Sequence, residues 1–175
     1  MRIGVLGLQG AVSEHIISSD LALASLKIDG EAIEAREASD LKKIDGLILP
    51  GGESTTISDL SHASGITDYL RGSGLPIFAT CAGMILLGTS CDGPSQELIG
   101  RIDMHVLRNA FGTQRESFET LLDVANLKNF PAIFIRAPVV EALTDKGAKI
   151  IAKFGDKIVG VQKGCDIALS FHPEL

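Results

Sequence analysis

Ile77-Phe78-Ala79-Thr80-Cys81-Ala82-Gly83-Met84-Ile85-Leu86-Leu87 carries a β-rich apolar run straight into a helical pattern, with a cysteine at the corner. Pro76 to Ala79 reads as a buried strand and Ala82 to Leu87 as a helix. A sharp strand-to-helix corner needs small neighbours, and Ala79 and Gly83 occupy the two positions written as glycine in a nucleophile elbow. Such a corner lifts the sulfur above the carboxyl edge of a sheet, where open α/β sheets bind ligands. It also offers the Ala82 N–H to a developing oxyanion. The same segment fits a buried structural cysteine, the usual fate of that residue.

Outward from this corner, strands alternate with helices. Arg2 to Leu6 reads as a strand, and Ala11 to Leu26 as a helix with Val12, Ile16 and Leu23 on one face. Glu31 to Ala35 is a weaker strand, and Gly46 to Leu49 is a buried one stopped by Pro50-Gly51-Gly52. Ser54 is expected to cap a helix running towards His62. This spacing implies a parallel sheet covered on both faces. Further on, Met104 to Arg108, Ile133 to Ile135, Val139 to Leu143, Ile150 to Phe154, Lys157 to Gln162 and Ile167 to Phe171 are strand-like. Gly155-Asp156 marks a hairpin between two of them. The expected fold is α/β: a flavodoxin-like three-layer sandwich whose central, mostly parallel sheet gains antiparallel strands. Thr89 to Gly100 reads as an exposed loop, and Phe111 to Phe130 as a long, partly helical connection.

With 175 residues, 45% of them apolar and 22% charged, the chain fits one globular domain spanning 1–175. A net charge of −6 without a basic cluster argues against nucleic acid and anionic membrane as partners. Apolar runs stop at about half a dozen residues, far short of the roughly 20 needed to span a bilayer. The short apolar start does not match a signal peptide, so a reducing cytoplasm is the expected setting. Three cysteines without ligand spacing support neither a disulfide framework nor a zinc site.

A thiolate nucleophile needs a proton carrier, and the tail Phe171-His172-Pro173-Glu174-Leu175 supplies one. In extended chain His172 and Glu174 face the same side, and Pro173 biases His172 towards that conformation. The carboxylate can then orient the imidazole; a surface His-Pro-Glu turn without a role is the alternative. Pro50-Gly51-Gly52-Glu53-Ser54 follows one strand and precedes a helix, so its glycines let backbone N–H groups approach an anion or a carbonyl oxygen. It lacks the Lys-Ser/Thr ending of a phosphate-binding loop, and it also fits an ordinary capped turn.

These segments resemble the class I, triad-type glutamine amidotransferases, and within them the glutaminase subunits of two-subunit pyridoxal 5′-phosphate synthases. The resemblance rests on Gly4 to Gly10 with Glu14-His15, Pro50 to Thr55, Cys81-Ala82-Gly83, Arg108-Asn109-Ala110-Phe111-Gly112, Phe134 to Pro138, and Phe171 to Leu175, in family order. It implies Cys81 as nucleophile, His172 as general base and acid, and Glu174 as its orienter. Gly51, Gly52 and the Ala82 N–H would form the oxyanion hole, and the Gln9 region would lie near that loop and the partner interface. Glu53, Arg108, Ile135 and Arg136 would hold the two ends of L-glutamine. An arginine suits the α-carboxylate because its fork donates two parallel hydrogen bonds.

The resemblance further implies hydrolysis of glutamine to glutamate and ammonia through a cysteine thioester, with no metal or cofactor. The ammonia would pass to a (β/α)8-barrel synthase subunit in a hetero-oligomer that makes vitamin B6. Family members usually continue past His-Pro-Glu-Leu into a C-terminal helix, whereas this sequence stops at Leu175. Docking of the last residues is therefore the condition for an ordered triad. Other readings are a flavodoxin-like binding module with a structural or redox-sensing cysteine, and a glutaminase serving purine, histidine or tryptophan synthesis. Cys91, Cys165, His62 and His105 read as incidental, and His15 as an interface or packing residue.

Overall fold

The computed structural model describes residues 1–111 and 117–175. In chain order the elements are β1 (Arg2–Leu6), α1 (Val12–Ser25), β2 (Glu31–Ala35), β3 (Gly46–Leu49), α2 (Ser54–Ala63), α3 (Ile66–Gly72), β4 (Ile77–Thr80) and α4 (Ala82–Leu87). The rest is strand: β5 (Gly88–Cys91), β6 (Ile102–Leu107), β7 (Phe118–Val124), β8 (Leu127–Phe134), β9 (Val139–Leu143), β10 (Ala148–Phe154), β11 (Lys157–Lys163) and β12 (Asp166–Leu169). Five of them lie side by side and parallel in the order β2-β1-β3-β4-β12. That is the flavodoxin order, with β12 as the fifth strand. From β12 the sheet continues antiparallel through β11, β10, β7 and β8, while β9 bridges β11 to β6 and β5 flanks β6.

Strands covered on both faces are apolar at successive positions, and Leu47, Ile48 and Leu49 of β3 are all buried. Leu47, Leu49, Ile77 and Ala79 share a core with Ile57, Ile66, Leu70 and Met84 from α2, α3 and α4. Gly83 brings α4 close to β3: a Cβ there would stand 2.9 Å from Leu49 Cβ and collide with its carbonyl oxygen. A second core lies under the β7–β8 hairpin, centred on Phe134 and Phe171. Phe134 packs against Phe118, Phe111, Phe171 and Phe154 with ring centroids 4.8, 5.0, 5.6 and 5.9 Å away.

The α/β sandwich expected from the sequence is what the chain forms, with several local corrections. Phe118–Val124 and Leu127–Phe134 form an antiparallel hairpin where a partly helical connection was expected. Leu122 and Val124 are buried while Leu121 and Asp123 are exposed, a period of two that selects a strand. Residues 112–116 of that stretch, including Gly112 of the family segment, lie outside the described residues. Thr89 to Cys91 belong to β5, paired in parallel with β6, rather than to a loop. Glu53, not Ser54, caps α2, its carboxylate accepting from the Thr56 N–H at 2.8 Å. The fully buried residues of α1 are His15 and Leu23, with Ile16 only partly covered. Helix α3 was not anticipated. Among the described residues, no helix is long and apolar enough to cross a membrane.

Truncating Phe134 removes the hub of the second core. Phe134→Ala should cost about 3–5 kcal/mol, read as a lower urea midpoint at unchanged slope. A loss below about 1 kcal/mol would mean that the aromatic cluster collapses around the gap.

Candidate active site

Cys81 follows β4 directly and occupies the N-cap position of α4 with φ 48° and ψ −105°. A non-glycine residue held there costs about 1–3 kcal/mol and persists only where its surroundings over-determine it. They do so here: the Cys81 N–H donates to Leu169 O at 2.8 Å, and its carbonyl accepts from Met84 N–H at 3.0 Å. The side chain is buried but opens onto a cleft of about 400 Å³.

The chain leaves β12 at Leu169 and is pinned residue by residue. Ser170 N–H donates to Val159 O at 2.9 Å, its hydroxyl donates to Pro138 O, and His172 N–H donates to Ile133 O at 2.9 Å. His172 Nδ1 lies 2.7 Å from Glu174 Oε1, and the Glu174 side chain has no exposed surface. The last residues are thus docked. On its other side the imidazole faces the cleft beside Cys81, both packed against Gly51. Burial alone would lower the His172 pKa. The neighbouring Cys81 side chain and the Glu174 carboxylate on Nδ1 outweigh it and push the value up to about 10.

The loop after β3 closes the cleft from the other side. At Gly51 a Cβ would collide with His172 Cε1 and lie 3.1 Å from its Nδ1 and 3.3 Å from Cys81 Cβ. Only a residue without a side chain fits between the sulfur-bearing carbon and the ring. Gly51 O accepts from Ala11 N–H at 3.0 Å, next to Gly10, whose φ of +113° is open to glycine. Gln9 Oε1 lies over Gly52 and accepts from Glu53 N–H at 2.7 Å.

Glu53 and Arg108 form the far wall, with Arg108 Nη2 3.1 Å from Glu53 Oε1. Glu53 is held down to about 2, first by the Thr55 hydroxyl, against burial, and further by the N–H and hydroxyl of Thr56. Arg108 Nη1 is buried with no hydrogen-bond partner among the described residues. Ile135 O lies 4.0 Å from Cys81 Sγ, and Arg136, exposed with φ 46°, sits beside it on the rim.

Cys81, His172, Gly51, Gly52, Glu53, Ala82, Arg108, Ile135 and Arg136 therefore line one cleft, and Glu174 stands behind His172. Asn109 lines it too. His62 is exposed, and His105 pairs with Ser90 Oγ at 2.8 Å away from the cleft. Cys91 is half-buried against Gln96 and Cys165 is exposed. Sequence reasoning missed the contacts of His15, which is buried 3.0 Å from Thr80 Oγ1 and 3.4 Å from Glu174 Oε2. The helical stripe through Val12, His15, Ser19 and Leu23 was the available signal. Among the described residues, no group of three or more His, Cys, Asp or Glu side chains could hold a metal ion.

A cysteine corner, a His-Glu dyad and a glycine loop on a flavodoxin-type sheet define the glutamine amidotransferase class. A solved structure described as a glutamine amidotransferase matches this chain with a TM-score of 0.88 and 44% identity, covering 98% of this chain and 90% of its own. The chain belongs to the SNO glutamine amidotransferase family, whose model matches residues 5–175. Two relatives are each named pyridoxal 5′-phosphate synthase subunit PdxT. The one from Thermococcus onnurineus is 47% identical over all of this chain and 92% of its own length. The one from Streptomyces avermitilis is 49% identical over 99% of this chain and 86% of its own.

The raised His172 pKa makes stability depend on pH with a definite sign. The contribution is complete below the unfolded-state value of about 6.5 and is lost as pH climbs through the folded-state value. The Tm gap between the parent and His172→Gln should be widest near about pH 6 and close towards about pH 10. A gap that stays constant over that range would contradict the raised pKa.

Proposed function

We propose that this chain, acting as a single glutaminase domain over 1–175, hydrolyses L-glutamine to L-glutamate and ammonia through a Cys81 thioester. The observation that carries the reading is the convergence of Cys81, His172 and the Gly51 backbone in one cleft, with Glu174 buried behind the imidazole. A zwitterionic amino-acid head matches the far wall: the ammonium meets Glu53, and the carboxylate meets Arg108, with Arg136 and Ile135 at the rim. The side-chain amide then reaches towards the sulfur.

In the proposed reaction the Cys81 thiolate attacks the amide carbon, and the C=O electron pair moves onto oxygen. Backbone N–H groups of Gly51, Gly52 and Ala82 stabilise that oxyanion. His172, protonated and oriented by Glu174, gives its proton to the departing nitrogen as the C–N bond breaks. Ammonia leaves and a γ-glutamyl thioester remains. A water molecule gives a proton to His172 and adds to the thioester. Collapse of that adduct breaks the C–S bond and releases glutamate and the thiolate. The half-reaction uses no metal or cofactor.

Near neutral pH free ammonia is mostly protonated and diffuses away, so a docked acceptor conserves it. The relatives named as pyridoxal 5′-phosphate synthase subunits support a synthase as partner, and the family resemblance implies a (β/α)8-barrel subunit in a hetero-oligomer that makes pyridoxal 5′-phosphate. A reducing cytoplasm suits a reaction that needs a free thiol.

Cys81→Ala should abolish ammonia release from glutamine, measured with the synthase subunit present, while leaving docking to that subunit intact. The parent should take up one equivalent of 6-diazo-5-oxo-norleucine at Cys81. Undiminished ammonia from the alanine variant would remove the assigned nucleophile, and absence of labelling would favour the binding-module reading.

A further inference from the structure

Glu174 uses only one of its oxygens on His172. Oε1 meets the imidazole at 2.7 Å, while Oε2 is buried with no hydrogen-bond partner among the described residues. A buried carboxylate oxygen left unmet carries a penalty larger than that of a neutral group. It also leaves the carboxylate free to turn about its last bond, and the ring it orients would turn with it. His15 Nε2 lies 3.4 Å from Oε2, and its own hydrogen bond runs to Thr80 Oγ1 at 3.0 Å. His15 is 2% exposed, and Thr80, the residue before Cys81, is fully buried.

We propose that His15 is a positioning residue: its Nε2–H, shared between Thr80 Oγ1 and Glu174 Oε2, locks the carboxylate that orients His172. The inference rests on the triad reading above and extends it by one member. Three elements then fix one carboxylate: β12 through the tail that follows it, β4 through Thr80, and α1 through His15. Burial lowers the His15 pKa, against the Glu174 charge, with His172 lowering it further and Glu14 raising it. A neutral ring supplies one proton donor and leaves the Glu174 charge to His172. The 3.4 Å separation is long for a hydrogen bond, as catalytic contacts are before substrate binds.

The alternative, a histidine that merely fills space, predicts different kinetics. The test measures kcat and KM for glutamine in the synthase complex, per active site counted by 6-diazo-5-oxo-norleucine uptake. His15→Leu removes the donor, and His15→Gln places an amide N–H close to the Nε2 position. His15→Asn carries the same amide one bond too short. His15→Leu and His15→Asn should lose kcat by about ten- to a hundredfold at unchanged KM, the size of one lost hydrogen bond to a buried carboxylate. His15→Gln should recover most of it. Parent-like kcat per site in His15→Leu, or equal rates in the Gln and Asn variants, would overturn the proposal. Should leucine prevent folding, the Gln–Asn pair decides alone. Cys81→Ala in the same assay separates the two layers. If it stays active, the triad reading falls; if it is dead beside a parent-like His15→Leu, only the His15 role falls.

Discussion

The parallel pairing of β4 with β12, with Phe78 opposite Ile167 and Thr80 opposite Leu169, sets the geometry on which the candidate site depends. Cys81 is the next residue after Thr80, and its N–H extends the ladder by one bond to Leu169 O. His172 is only three residues past Leu169. Two segments 91 positions apart in sequence are thereby brought to one point on the carboxyl edge. A slip of one residue would turn every side chain of β12 to the opposite face and carry His172 with it. The slip is opposed on both sides, because β12 also pairs with β11 and the buried Asp166 carboxylate accepts from Ile77 N–H at 3.0 Å. Asp166 in turn is paired with Arg101 at 2.8 Å, and burial raises its pKa against the opposing Arg101 charge.

The same edge collects the other parts for the same reason. Adjacent parallel strands end together, so Gly10 after β1, Gly51 after β3, Cys81 after β4 and His172 after β12 become neighbours. The antiparallel half adds what the parallel half lacks. Ile135 and Arg136 follow β8, and Arg108 follows β6. In the proposed reading the reacting groups sit on the parallel sheet edge, and the added strands bring Arg108, Ile135 and Arg136 to it beside Glu53.

Much of this was legible beforehand, and the failures have physical causes. Strand and helix at Ile77 to Leu87 were readable because an apolar run gives way to small residues and then to a helical pattern. The limits of β1, β2, β3 and β9 were readable from composition alone. The β7–β8 hairpin was not, because its turn at Ala125-Asn126 lacks glycine and relies on Ala125 at φ 52°. The cap of α2 was misplaced because Glu53, a weaker statistical candidate than Ser54, is fixed by Thr55, Thr56 and Arg108. Proximity of Cys81 to His172 could be inferred only from resemblance, since no local pattern encodes which strand lies beside which. His15 was undervalued for a related reason: a histidine on a helix face gives no sign that a buried carboxylate from the far end of the chain lies opposite.

Charge burial ties these observations together. A buried imidazolium or carboxylate would carry a desolvation penalty of several kcal/mol if isolated. Here each has a partner: Glu174 for His172 on the same tail, and Arg108 for Glu53 across the open end. Gly51 matters to the His172 pair, since a side chain at its position would collide with the ring. The glycine is therefore a condition for the placement of the imidazole as well as for the backbone approach. The site's electrostatics and its sterics then reduce to one requirement: nothing larger than a hydrogen atom between the loop after β3 and the imidazole.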